Sequence, residues 1–196
     1  ARLRADMQQL LAEFQATIPA VFEGEEYQRR LNQIDEEYGE RQTHAFGEVG
    51  DEANQQGVVL LRTPNGFSFA PARDDEVMSP EDYEKQPPEE KARIEQAITG
   101  LQEKLEKVIR QVHQWRRERI ERVHKLNEEV VLFAVGQRID DLRRDYADYP
   151  AVCSYLNEVQ QNVIESMDEF RHPKEGMSAL AALTSELPNF SRFLVN

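Results

Sequence analysis

The sequence is poor in the residues that make crosslinks, membrane spans and nucleotide loops. Among its 196 residues there is one cysteine, Cys153, so no disulfide can close within the chain. A lone thiol fits a reducing compartment, and the expected location is cytoplasmic. The longest apolar run, Val130 to Val135, is far shorter than the roughly 20 residues a membrane helix requires, so no membrane contact is expected. Glycine and proline number nine each, which argues against disordered and collagen-like chains. No lysine follows a glycine, so the glycine-rich loop that cradles phosphates is absent. Cations are scarce: 24 Lys and Arg face 37 Asp and Glu, a net charge of −13. That balance argues against a general nucleic-acid binder, because duplex affinity rests on cations meeting phosphates. What the chain does have is charge. Charged residues are 31% against a usual share of about a quarter, and hydrophobic residues are 39%. This composition predicts much surface and a thin core.

Apolar spacing organises the chain. Leu3, Met7, Leu10, Leu11 and Phe14 predict a helix from about residue 2 to 16, stopping before Pro19. Tyr27, Leu31, Ile34, Tyr38, Ala45, Val49 and Ala53 predict a second helix from about Glu25 to Gln56, capped by Gly57 in the left-handed region. The period then changes to that of strands. Val58 to Arg62 and Phe67 to Ala70 flank Thr63-Pro64-Asn65-Gly66, where Pro64-Asn65 suits a turn and Gly66 supplies a positive φ. Two strands alone are marginal in water, so the hairpin must rest on a helix or a third strand. Ser79-Pro80-Glu81-Asp82 places an N-cap, a first-turn proline and two acids in order, which starts a short helix. Pro87-Pro88-Glu89-Glu90 repeats the device.

From there Ile94, Ile98, Leu101, Leu105, Val108, Val112 and Trp115 alternate by four and three residues, as in a coiled-coil seam. The next heptad position is Arg119, and the stripe resumes only at Val123, then Val130 and Phe133. A step of eleven among sevens is a stutter, which locally unwinds a supercoil and marks a flex point near Arg119. With no proline before Pro150, one nearly continuous helix of about 60 residues is expected, roughly 90 Å long. After Pro150, Val152, Leu156, Val159, Val163, Met167 and Phe170 mark a last helix.

The expected fold is mainly α: a helical bundle base with a protruding antiparallel coiled coil and a small β-hairpin near its distal end. Residues 1–24 form a base helix, 25–147 the coiled-coil arm with the hairpin at 58–70, and 148–171 a second base helix. Residues 172–196 form a linker into a further module. The chain opens at Ala1 inside a helical pattern and stops at Leu194-Val195-Asn196 in a strand-like one, so an excised piece of a larger polypeptide is expected.

No constellation in the sequence carries catalysis, cofactor binding or metal binding, and no residue is assigned to such a site. Ile34-Asp35-Glu36 mimics the acidic end of a nucleotide-binding strand but lies on a helical stripe. His113 and His124 share a helix face, yet eleven residues separate them by roughly 16 Å, too far for one zinc ion. Arg110, Arg116, Arg117, Arg119, Arg122 and Lys125, with those two histidines, form a basic girdle on an acidic chain. It either docks an acidic partner or a nucleic-acid backbone, or it faces Glu36, Glu37 and Glu40 across the coiled coil, and the last reading is preferred.

Several stretches resemble the helical middle segment of bacterial Lon-like ATP-dependent proteases, in the branch whose AAA+ module carries a long insertion. They are Arg2 to Met7, Ile18 to Glu23 with Tyr27 and Arg29-Arg30, and Gln56-Gly57 through Thr63-Pro64-Asn65-Gly66-Phe67-Ser68-Phe69-Ala70-Pro71. The likeness continues in Leu126 to Val130 with Phe133 to Val135, in Tyr146 to Pro150 with Val152, Tyr155-Leu156 and Val159-Gln160, and in the terminal Phe193 to Asn196. Asp74 to Met78 departs from the pattern, which usually has a glycine before the methionine. The resemblance implies an ATP-driven, oligomeric cytoplasmic machine that degrades proteins with a Ser–Lys dyad. None of its catalytic or nucleotide-binding motifs maps here, so ATP and magnesium would belong to the parent alone. Pro173 to Ala179 is similar to the stretch around the catalytic serine of that family. Glu175, Met177 and Leu180 depart from it, and the required lysine would lie beyond Asn196, so the likeness is read as coincidence.

The resulting expectation is a non-catalytic insertion domain of a Lon-like serine protease, engaging substrates or gating access. Its partners would be its own AAA+ and protease modules in a homo-oligomeric ring, and unfolded protein substrates. Phe67 and Phe69 at the hairpin are the natural client contacts, unless core packing claims them. The alternative is a free-standing coiled-coil scaffold or adaptor.

Overall fold

The computed structural model describes residues 2–64, 66–73 and 76–167. The elements are α1 (Arg2–Glu23), α2 (Glu25–Gln55), β1 (Val58–Thr63), β2 (Gly66–Arg73), β3 (Glu76–Val77), α3 (Pro80–Glu84), α4 (Pro88–Asp145) and α5 (Pro150–Glu165). The fold is mainly helical with one small antiparallel sheet, as the periodicities predict. Phe170, the segment Pro173 to Ala179, the expected linker 172–196 and the strand-like end lie outside the described residues. The chain divides into two compact units, Ala1–Gln33 with Glu121–Asn196, and Ile34–Ile120. Both boundaries fall inside helices, the second within the eleven-residue step of the seam.

In the first unit, α1 buries Met7, Leu10, Leu11, Phe14, Ile18 and Phe22. It does not stop before Pro19: the helix runs on to Glu23 with the proline inside it. An interior proline forfeits one N–H bond and costs about 3 kcal/mol. Burial of Ile18 and Phe22, at about 1.5–3 kcal/mol each, outweighs that loss. Gly24 alone separates α1 from α2, and the Gln28 amide caps the end of α1 by donating to the Phe22 carbonyl at 2.8 Å.

α1 and α5 each run antiparallel to α4. Arg138 donates to Glu13 at 2.8 Å, Arg2 to Asp145 at 3.2 Å, and Arg143 to Gln160 at 2.5 Å. The apolar positions of α4 here are Leu126, Val131, Val135, Ile139 and Leu142, joined in the core by Leu156, Val159 and Val163 of α5. This corrects the expected stripe. Val123 and Val130 are half-buried and Phe133 is 87% exposed. A heptad template assumes one partner helix, whereas this part of α4 meets several, so its buried face is broader and differently phased.

At the start of α2 the Tyr27 hydroxyl donates to the Asn127 side-chain oxygen at 2.9 Å. Asn127 is the one buried polar side chain among the described residues, and the Tyr27 ring meets Phe22 edge-on at 5.0 Å. Arg30 and Glu129 add an ion pair at 2.6 Å. These pairs set α2 antiparallel to α4 in this unit.

In the second unit the helix pair is again antiparallel: Arg119 bonds Asp35, and Lys104 bonds Glu52. Ile34, Tyr38, Ala45, Val49 and Ala53 of α2 are buried, as are Ile94, Ala97, Leu101 and Leu105 of α4. Ile98, Val108, Val112 and Trp115, expected in the seam, are half-buried. Gly57 takes φ 73° after α2, as the left-handed cap requires, and Gly66 takes φ 127°. β1 pairs with β2 from Val58↔Pro71 to Thr63↔Gly66, and β3 adds Ala72↔Val77 and Arg73↔Glu76. The hairpin therefore gains both supports it needs. A third strand flanks it, and Val58 with Phe69 packs on Ala53, Ile94, Ala97 and Leu101. Ser79 caps α3 by accepting from the Asp82 N–H at 3.1 Å, and Tyr83 packs onto the same cluster.

Two outcomes test this account. Pro19→Ala restores a backbone donor and should raise stability by about 1–3 kcal/mol; an unchanged or lower urea midpoint would mean the helix loses nothing to the ring. Tyr27→Phe strips Asn127 of a buried donor and should cost about 1–3 kcal/mol, while the double change with Asn127→Leu should recover part of it. Equal midpoints for wild type and Tyr27→Phe would deny that bond its role.

Candidate functional site

Three phenols depart from their usual range. Donation of the Tyr146 hydroxyl to Asp6 at 2.6 Å, followed by burial, raises its pKa above the usual 10. Burial, then the charge of Glu95, raises Tyr83, and burial raises Tyr155. These phenols stay protonated at neutral pH and serve as hydrogen-bond donors rather than bases. Among the described residues no group of three or more His, Cys, Asp or Glu is placed to hold a metal ion. None of the helices among those residues is long and apolar enough to cross a membrane. Ile34-Asp35-Glu36 lies within α2 with Ile34 buried, so the acids do not end a strand. His124 stands 3.6 Å from Glu128 on its own helix, and His113 is exposed.

The basic girdle is partly neutralised. Arg119 donates through Nε to Asp35 at 2.7 Å, a carboxylate outside the expected set. Glu37 accepts from Arg41 of its own helix at 2.5 Å. Arg110 reaches Glu106 one turn away at 3.7 Å. Arg116 and Arg117 have no ion-pair partner among the described residues. The sequence reading missed Asp35 because it treated the residue with Ile34 and Glu36 as a motif, not as a seam-flanking charge.

Three surface features remain. Phe67 stacks on Phe46 at 4.6 Å and is 37% exposed, while Phe69 is claimed by the cluster beneath the sheet. Of the two hairpin phenylalanines, Phe67 is the more exposed. In the first unit, exposed Leu132 and Phe133 border a groove of about 730 Å³ that includes Val21, Arg143 and Gln160. In the second, a groove of about 390 Å³ lies between α2 and α4 beside Trp115. The chain matches no protein-family model, no curated protein and no solved structure.

The Tyr146 bond makes a pH prediction. A folded pKa above the unfolded value of about 10 contributes stability that is complete below that pH and fades as pH rises through the folded value. Stability should therefore fall on going to alkaline pH, and by less in Tyr146→Phe. Equal falls in urea midpoint for the two proteins would remove Tyr146 as the source.

Proposed function

We propose that this chain is a non-catalytic helical insertion of a Lon-like ATP-dependent serine protease, acting in substrate engagement or gating. The support is topological. Tyr27 meets Asn127 and Arg30 meets Glu129, so the chain leaves the first unit and re-enters it at neighbouring points. A unit whose two ends are adjacent is the kind that chains accept as an insertion. The stretches that resemble the Lon-like middle segment lie on both sides of those points and on the hairpin. In this reading ATP, magnesium and the Ser–Lys dyad belong to the AAA+ and protease modules of the same polypeptide, assembled as a cytoplasmic homo-oligomeric ring. Unfolded protein segments are the clients, and Phe67 is a contact residue at the hairpin.

The test exploits the adjacent ends. In the complete polypeptide, residues 34–120 are replaced by a short Gly-Ser linker joining the ends held by Tyr27–Asn127. ATP hydrolysis should persist while degradation of a folded client falls at least about tenfold. Unchanged degradation, or ATP turnover by chain 1–196 alone, would overturn the proposal.

A further inference from the structure

Trp115, the chain's one tryptophan, occupies a seam position where a coiled coil would bury it, yet it is only half-buried. Gly39 of α2 borders the same groove, and a Cβ built there would touch nothing within 4 Å, so this position contributes no side chain to cover the groove. Tyr38 and Val112 complete the apolar floor, and Arg41 lies over the Tyr38 ring at 5.0 Å.

The rim is charged in an ordered way. Arg119 is tied to Asp35, and both line the groove. Arg116 lines it as well and has no ion-pair partner among the described residues. Two guanidiniums against one carboxylate leave the groove with one net positive charge, on a chain of −13. A free guanidinium beside an uncovered aromatic face matches one ligand chemistry: a carboxylate next to a large apolar side chain. The volume, about 390 Å³, is at the small end of binding pockets and suits one or two side chains.

We infer that this groove docks a protein segment carrying an aromatic side chain adjacent to an acidic one. The ring lies against Trp115, and the carboxylate takes the free donors of Arg116. Nucleic acid fits less well. A duplex presents a charge about every 1.7 Å, so a backbone tracking the helix pair would meet further charges beyond Arg116. The adjoining groove, which shares Trp115, is lined by Glu40 and Glu48 with Arg41 and His44, and two carboxylates against one guanidinium disfavour a continuing polyanion. A peptide with one carboxylate avoids them. The inference stands apart from the protease reading, since an adaptor would use the same groove.

The experiment titrates chain 1–196 with a labelled short Gly-Ser peptide containing one Asp-Phe pair, following peptide anisotropy and Trp115 emission. Saturable binding with an emission change is expected, weakened about tenfold or more by Asn-Phe or Asp-Ala peptides and by Arg116→Gln. Arg117→Gln, outside the groove on the same helix, should bind as wild type. Absence of an emission change at saturating peptide, or undiminished binding by Arg116→Gln, would overturn the inference. So would polythymidylate displacing the peptide with a steep salt dependence, which would mark the groove as a nucleic-acid site.

Discussion

One hydrogen bond between two side chains a hundred residues apart sets how α2 meets α4 within the first unit. The Tyr27 hydroxyl donates to Asn127 inside an otherwise apolar core. Apolar helix faces can slide by a turn at little cost, because one leucine replaces another. An amide cannot slide, since leaving its oxygen unbonded in the interior costs about 1–3 kcal/mol. A single buried asparagine therefore selects one register, as it does in coiled coils. The Arg30–Glu129 pair on the same helices is half in solvent, where such pairs contribute little, and it follows the register more than it sets it.

The second unit solves a different problem with small residues. Ala45, Val49 and Ala53 of α2 let the helices approach, and Ala53 with Ala97 leaves room for Val58 and Phe69 of the sheet. Gly39 of α2 and Trp115 of α4 line one open groove between the helices. The cations follow the same logic. Arg119 is satisfied by Asp35 across the pair, while Arg116, one turn back, is left with its charge free. The surface also carries a stacked Phe46–Phe67 pair.

The places where pattern reading went astray share a cause. Pro19 was expected to end α1, because local propensity opposes an interior proline by about 3 kcal/mol. The deciding energy came from the burial of Ile18 and Phe22, the latter edge-on to the Tyr27 ring of the next helix. Phe133 was expected in the seam because it is apolar and in phase with Val130, yet it faces outward at 87% exposure. Periodicity reports which residues could be buried together; it does not count the neighbours that bury them. The candidate groove was legible only in part. The cationic girdle and the lone tryptophan were visible, but not which arginine would remain free or that Gly39 and the indole would line one groove.

What the sequence determined by itself is local. Helix phases, the proline and serine starts of α3 and α4, the Gly57 cap and the strand period all arise from steric and hydrogen-bonding rules acting over a few residues. Tertiary structure decided the rest: that α1 continues past its proline, which face of α4 is covered beyond the stutter, and which carboxylate holds Arg119. Those choices rest on contacts between residues tens to more than a hundred positions apart. Their energies appear only when distant surfaces meet and water leaves, and no short stretch of chain encodes that alone.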